Sequence, residues 1–379
     1  MRKYFFLFIL LHIFSTEKSF SQDSSHIRIS LLTCSPGQEL YSIFGHSAIR
    51  VTDSTSLTDI VFNYGTFNFD DENFYLKFVR GKLLYYLSIE RFDDFSASYQ
   101  FEGRGITEQV LELSAKEKID LQHFLIENLK EENKFYHYDF FLDNCTTRLR
   151  DLIVKIKNPQ RPLPPVMPLN TTFRHAIHQY LDNGKQYWSK LGIDILLGSP
   201  TDAEMTSSQQ EFLPDNLMLA LDKSDENFVK KETVLFEVIN LKDQLIIFTP
   251  FITFLLIFIA ISFIGIKKKN NFKLFLLNFD RLLFFITGFL GVIILLMWFA
   301  TDHSMTKNNY NILWAWPTHL IAFAFINSQS KIRKYYFGLN AVCMALLLFV
   351  WTFLPQQLNI SLIPIIALLG YRSFANYTR

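Results

Sequence analysis

Cys145 stands in FFLDNCTTRLRD (140–151), behind the pair Asp143 and Asn144 and ahead of an amphipathic helical pattern. If Asp143 caps that helix, the thiol falls in the first turn. There the partial positive charge of the helix N-terminus favours a thiolate, and free backbone N–H groups can hold an oxyanion. A thiol nucleophile needs a base, and FGHSAIRV supplies His46, after a glycine and at the entry to a strand. A third polar group should orient the imidazole. The next strand, VFNYGTF, offers Asn63, with Tyr64 as its neighbour of opposite facing. Asn63 is equally readable as an edge-strand residue satisfied by backbone. Base strand, orienting strand and then cysteine at a helix start is a papain-like constellation in permuted order.

Two other uses of Cys145 compete with this one. The chain has three cysteines, Cys34, Cys145 and Cys343. Cys343 lies in an apolar segment and reads as a small packing residue, whereas Cys34 and Cys145 could form a disulfide in an oxidising compartment. A metal site would need Cys and His at short ligand spacing. No such cluster occurs, and His175 and His178 read as surface or packing residues, so no metal or cofactor is expected. A formal net charge of +1 gives no basic face for nucleic acid.

The elements that must position these groups can be read from pattern. Residues 28–34, 45–51, 60–67 and 107–114 have strand character, with a turn at Pro36-Gly37. Residues 74–89 read either as a helix broken at Gly81 or as a helix and a strand. Ser114 and Glu117 form a capping-box start for an amphipathic helix over 114–133. The Cys145 helix spans about 144–157 with Leu149, Leu152, Ile153 and Ile156 as its buried stripe. KNPQRPLPPVMP (157–168) is a proline-rich stop. Beyond it, TTFRHAIHQYL and the stretch 216–245 read as helical, leading to the membrane.

MRKYFFLFILLHIFSTEKSFSQ reads as a secretory signal, with Arg2 and Lys3, an apolar run from Phe5 to Phe14, and Ser19-Phe20-Ser21 before the cut. An uncleaved anchor would equally place the globular region outside the cytoplasm. At the other end, 244–266, 282–300, 312–326, 335–354 and 360–371 read as five membrane spans. Lys267, Lys268, Lys269, Lys273 and Arg281, then Lys331, Arg333 and Lys334, then Arg372 and Arg379 lie after the first, third and fifth spans, on one side of the membrane. The positive-inside tendency makes that side cytoplasmic, which leaves the globular region and the loops 301–311 and 355–359 on the outer face. The expected organisation is a signal peptide (1–21), a thiol domain (22–157), a helical extension (158–242), a five-span domain (243–371) and a cytoplasmic tail (372–379).

Asp302 and His303 come just after the second span on the same face as Cys145. They either sit in the headgroup region or, in the functional reading, bind phosphate or line an acyl site. Trp314 and Trp316 read as interfacial belt anchors, with His319 at the same outer edge. Arg50, Arg148 and Arg174 suit a phosphate headgroup or an ion pair equally well.

LLTCSPGQELYSIFGHSAIRV, FNYGTFNF, GRGITEQVLEL, YHYDFFLDNCTTRLRD and TDHSMTKNNYNILWAWP, in that order, resemble the Lnb-type lipoprotein N-acyltransferases of Bacteroides-like bacteria. The order of His46 strand and Asn144-Cys145 helix also resembles permuted NlpC-type enzymes such as the lecithin:retinol acyltransferases, which often use histidine where this chain has Asn63. The resemblance implies an α+β periplasmic domain of permuted papain-like architecture followed by an α-helical bundle in the bacterial inner membrane. It implies transfer of an acyl chain from a phospholipid, through a Cys145 thioester, to the α-amine of a diacylated lipoprotein. Cys145, His46 and Asn63 would be catalytic, with Asp143, Asn144, Arg148, Tyr64, Asp302 and His303 in support. Two alternatives compete: a membrane-anchored cysteine peptidase or amidase acting on cell-wall peptides with the same Cys145 and His46, and a non-enzymatic binding protein with a Cys34–Cys145 disulfide.

Overall fold

A computed structural model describes residues 26–238, 246–267 and 270–379. The signal sequence expected over 1–21, the junction at 239–245, and Lys268 and Lys269 lie outside the described residues. Strands β1 (Ile27–Cys34), β2 (His46–Asp53), β3 (Thr58–Thr66), β4 (Leu84–Arg91), β5 (Ile106–Leu111), β6 (Phe135–His137) and β7 (Val229–Phe236) form an antiparallel sheet in the order β6-β4-β3-β2-β1-β5-β7. Residues 74–89 are a helix and a strand: α1 (Phe74–Val79) precedes β4. α2 (Phe92–Phe101), α3 (Ala115–Leu129) and α4 (Cys145–Lys157) complete the first part of the domain.

The central strands are covered on both faces, which is why RISLLTC reads as an almost unbroken apolar run. Ile29 and Leu31 of β1 meet Leu149, Leu152 and Ile153 of α4 in the main core. Leu32 and Cys34 face the other way, against Phe95 and Tyr99 of α2. α3 starts with the expected box, its Ser114 side chain accepting from Glu117 N and Glu117 answering to Ser114 N.

The stretch after the prolines contains α5 (Phe173–Asn183), α6 (Tyr187–Leu196), α7 (Ser207–Gln210) and α8 (Pro214–Asp222). Leu217, Ala220 and Leu221 of α8 enter the same core as β1 and α4. The helix expected through 216–245 ends at Asp222, and the chain returns to the sheet as β7, paired to β5. VKKETVLF has the charged residues of a solvated edge strand. Those lysines and the glutamate gave it helical character in isolation.

The C-terminal part is helical: α9 (Pro250–Ile266), α10 (Lys273–Phe299), α11 (His319–Phe325), α12 (Lys331–Phe349) and α13 (Leu362–Tyr377). Among the described residues α10 and α12 are long and apolar enough to cross a membrane alone. The segment 312–326, expected as a continuous span, is a 3₁₀ turn at Tyr310–Leu313 and a break at Pro317 before the seven-residue α11. Asn309 and Asn311 hold its start to the end of α6, with their side-chain amides donating to Ile195 O at 2.8 Å and Asp194 O at 2.9 Å. Trp314 is fully buried, its indole donating to Asn311 Oδ1 at 2.9 Å, so it is a core residue and not a belt anchor. His319 is also interior, between Thr287 and Asn340.

α13 continues through the residues expected as a tail. Arg372, which the charge pattern placed in a cytoplasmic segment, is buried in a two-pronged pair with Asp280 at 2.6 and 2.9 Å. Pairing carries this charge into the bundle, where isolated it would be excluded.

Candidate functional site

The site forms where the start of α4 meets the adjoining ends of β2 and β3. Asn144 is the N-cap of α4: its Oδ1 accepts from Thr146 N and Thr147 N, both at 2.8 Å, while Thr147 Oγ1 accepts from Asn144 N at 2.8 Å. Its amide nitrogen also donates to Phe140 O at 2.7 Å and Phe212 O at 2.9 Å. The capping role expected for Asp143 therefore belongs to Asn144. Asp143 lies one residue outside, in a backbone bridge with Asp139, and its carboxylate accepts Nε and Nη2 of Arg148 at 2.7 Å each. The cap places Cys145 at the first helical position. Its own N–H has no acceptor among the described residues, as expected for a first-turn donor.

His46 Nε2 and Asn63 Oδ1 are 2.6 Å apart. The Asn63 amide nitrogen donates to Glu90 Oε1 at 3.4 Å. Because that carboxylate only accepts, it turns Asn63 Oδ1 toward the ring, and Nε2 carries the proton. Nδ1 is then the nitrogen left to face the Cys145 thiol, whose charged form His46 favours. Burial pushes the thiol up. The His46 charge and hydrogen bond, the Ser47 N–H and the Thr146 hydroxyl outweigh it, bringing the thiol from its ordinary 9.0 down to about 7. Burial likewise pulls the imidazole down, but the facing Cys145 and the Asn63 contact raise it overall, against the opposing charge of Arg104. Each member of the pair thus favours the charged form of the other.

Two backbone features make room for this contact. Gly45 has φ +77° and a Cβ there would lie 2.7 Å from Cys34 O, so only glycine permits the turn into β2. The β3–β4 register shifts between Asn63 and Thr66, a bulge containing Gly65 at φ +93°. A side chain at Gly65 would point between Cys145 Cβ and the Tyr138 ring, each 3.7 Å away.

Tyr64 faces away from His46. It is buried in the main core beside Tyr136, and burial pushes its hydroxyl up to about 12. The Arg148 guanidinium lies 3.5 Å above the Tyr136 ring centre. Arg148, Arg50 and Arg174 are all ion-paired, to Asp143, to Asp59 and Glu108, and to Asp194 and Asp202. His178 joins the last of these networks, with Nε2 2.8 Å from Asp194 Oδ1.

Asp302 and His303 line a cavity of about 280 Å³ with Gly81, His137, Tyr138 and Asp139. Tyr138, which lines this cavity, also flanks Gly65 together with Cys145. His303 Nε2 donates to Phe78 O at 3.2 Å and Val79 O at 3.1 Å, Asp302 N donates to Arg80 O at 2.9 Å, and Ser304 Oγ donates to Asp139 Oδ2 at 2.5 Å. These contacts bind the outer end of α10 to the thiol domain.

Glu90, Ser47, Thr146, Gly65 and Tyr138 were not singled out from sequence. The signal for Glu90 lies in strand pairing, since β4 runs beside β3. Cys34 and Cys145 are both free thiols. Cys34 packs with Leu32 and Tyr99, where burial pushes it up to about 12. Among the described residues, no three His, Cys, Asp or Glu side chains converge to hold a metal ion.

A family model described as the Lnb N-terminal periplasmic domain matches residues 18–177, and one described as the Lnb transmembrane domain matches residues 242–379. No curated protein and no solved structure matches the chain.

Proposed function

The chain belongs to the Lnb family, as a membrane protein with a periplasmic N-terminal domain, and on that premise we propose that it is a lipoprotein N-acyltransferase of the bacterial inner membrane. The observation that carries this reading is the Cys145 thiol, brought to about 7 against a His46 ring that Asn63 orients. The order of these groups along the chain supports a permuted papain-like, NlpC-type domain.

The Cys145 thiolate attacks an ester carbonyl of a membrane phospholipid. The S–C bond forms, the bond between the carbonyl carbon and the glycerol oxygen breaks, and the His46 imidazolium protonates the departing alkoxide. The Cys145 N–H donates to the oxyanion of each tetrahedral intermediate. The α-amine of a diacylated lipoprotein, with an ordinary pKa of about 7.7–8.0, then attacks the thioester. An N–C bond replaces the C–S bond, His46 accepts the amine proton, and the thiolate returns. Asn63, backed by Glu90, keeps Nδ1 aimed at sulfur throughout. Two bilayer-embedded substrates account for a thiol domain bound to a membrane bundle. Cys34 and Cys145 are free, so no disulfide supports the binding-protein alternative.

The test is the mass of the Cys145 peptide after incubation with phospholipid vesicles. The expected result is a fatty-acyl adduct, released by hydroxylamine, absent from Cys145→Ala, and discharged by a diacylated lipopeptide into an N-acylated product. An unmodified Cys145 would overturn the mechanism, and discharge to free fatty acid despite the lipopeptide would indicate the hydrolase alternative.

A further inference from the structure

The six residues of α1 bury none of their side chains. Tyr75 is 80% exposed, Leu76 58%, Phe78 52% and Val79 53%, and Phe69 just before the helix is 71% exposed. At 100° per residue, positions 75, 76, 78 and 79 form one face. Phe74 and Lys77 on the other face are half-buried, and Lys77 is paired to Asp71. This is the reverse of a water-facing helix, whose apolar side turns inward. A contiguous exposed apolar patch marks an interaction surface.

The position of the patch identifies its occupant. α1 is tied to the loop immediately after α10 by Asp302 N to Arg80 O and by His303 to Phe78 O and Val79 O. It therefore lies at the level where that membrane-crossing helix leaves the bilayer; Phe299, the last residue of α10, is itself 73% exposed. Arg80 is exposed and makes no ion pair among the described residues, which suits a phosphate headgroup. Asp70, Asp71 and Glu72 are confined to the turn ahead of the helix.

The rings also continue inward. Phe74 lies 5.8 Å from Phe67, Phe67 lies 5.2 Å from Tyr85, and Tyr85 stacks on Tyr138 at 4.4 Å. Tyr138 is the ring beside Gly65 and Cys145. We propose that α1 is an interfacial helix seated in the outer leaflet, and that the aromatic track Phe67, Tyr85 and Tyr138 leads lipid from it to Cys145. The seating stands on geometry alone, whereas the lipid path rests on the acyltransferase reading.

Each part has its own test in full-length protein reconstituted into phosphatidylethanolamine–phosphatidylglycerol vesicles. For the seating, a spin label is placed at Leu76→Cys, or at Leu57→Cys, in a Cys145→Ala, Cys343→Ala background. Leu57 is 88% exposed, beyond the far end of β3. At about 3.3 Å per residue, that nine-residue strand sets it about 30 Å away. The label at 76 is expected to collide mainly with oxygen and the label at 57 mainly with a water-soluble nickel chelate. Equal nickel accessibility at both positions would overturn the seating.

For the path, Leu76→Asp combined with Phe78→Asp is expected to slow Cys145 acylation from vesicles about tenfold, with iodoacetamide alkylation of Cys145 unchanged. Acylation at the wild-type rate would overturn the path, as would an equal loss in both reactions. A wild-type protein that never acylates would sink the acyltransferase reading while the spin-label result still decides the seating.

Discussion

The reactivity of Cys145 is set by a chain of single contacts, from Glu90 to Asn63, from Asn63 to His46 and from His46 to the thiol. Burial alone would make this cysteine inert. Half-maximal alkylation of Cys145 is therefore expected near pH 7, with the rate falling below that as the thiolate takes up a proton. In His46→Ala only the Ser47 N–H and the Thr146 hydroxyl still oppose burial, and the profile should shift up toward the ordinary thiol value of 9.0. At neutral pH the alkylation rate should drop at least about tenfold. A stopped-flow pH series on both proteins measures this, and an unshifted profile would show that His46 does not govern the thiol. Cys145 and His46 were legible in the sequence because each stands in a local context with a stated chemical consequence. Glu90 was not, because its role comes from lying across a strand pair from Asn63. Asp143 and Asn144 are both good capping residues, and the bridge between Asp139 and Asp143 decides which one occupies the cap.

At the scale of elements, the start of α4 presents the thiol, and Asn144 holds that start. Its side chain serves two helix N–H groups and two carbonyls from separate segments. Asn144→Ala should cost about 2 kcal/mol, the upper end for a lost cap, because buried carbonyls are left unpaired as well. Chemical denaturation should show the loss, and a change below about 0.5 kcal/mol would mean that the capping geometry contributes little. The strands β1, β2 and β3 and the helices α3 and α4 were legible through period and caps. β7 was not: an edge strand obtains its hydrogen bonds from β5, more than a hundred residues earlier, and the charged run Lys230, Lys231 and Glu232 breaks its apolar alternation.

The whole molecule depends on joining a water-facing domain to a membrane bundle. Arg174 is central to this joint. It pairs with Asp194 at 2.7 Å and Asp202 at 2.8 Å and is fully buried, while Asp194 also accepts from Asn359 in an outer loop of the bundle at 2.8 Å. Gly198 N to Met305 O and Gln356 Nε2 to Leu197 O, both at 2.8 Å, reinforce the joint. Removing one partner of a buried pair leaves an uncompensated charge, so Arg174→Met should cost about 3–5 kcal/mol. Thermal melts in detergent, read by protease susceptibility around residues 197–205, would register it. A variant as resistant as the wild type would place the strength of the joint elsewhere.

The sequence by itself singled out Cys145 and His46 as partners, and determined most of the sheet, the outer location of the globular region and the presence of a membrane bundle. These rest on short-range period, capping chemistry and loop charge, all of which act over a few neighbouring residues. Only the tertiary structure decided that Asn63 is backed by Glu90, that β7 closes the sheet edge, and that the segment around Trp314 is a packed turn leading to a short helix. It also decided that Arg372 lies inside the bundle and that α1 turns its apolar face outward. Each of these depends on which distant group supplies a hydrogen bond, a counter-charge or an apolar neighbour, and that information exists only once the chain has folded.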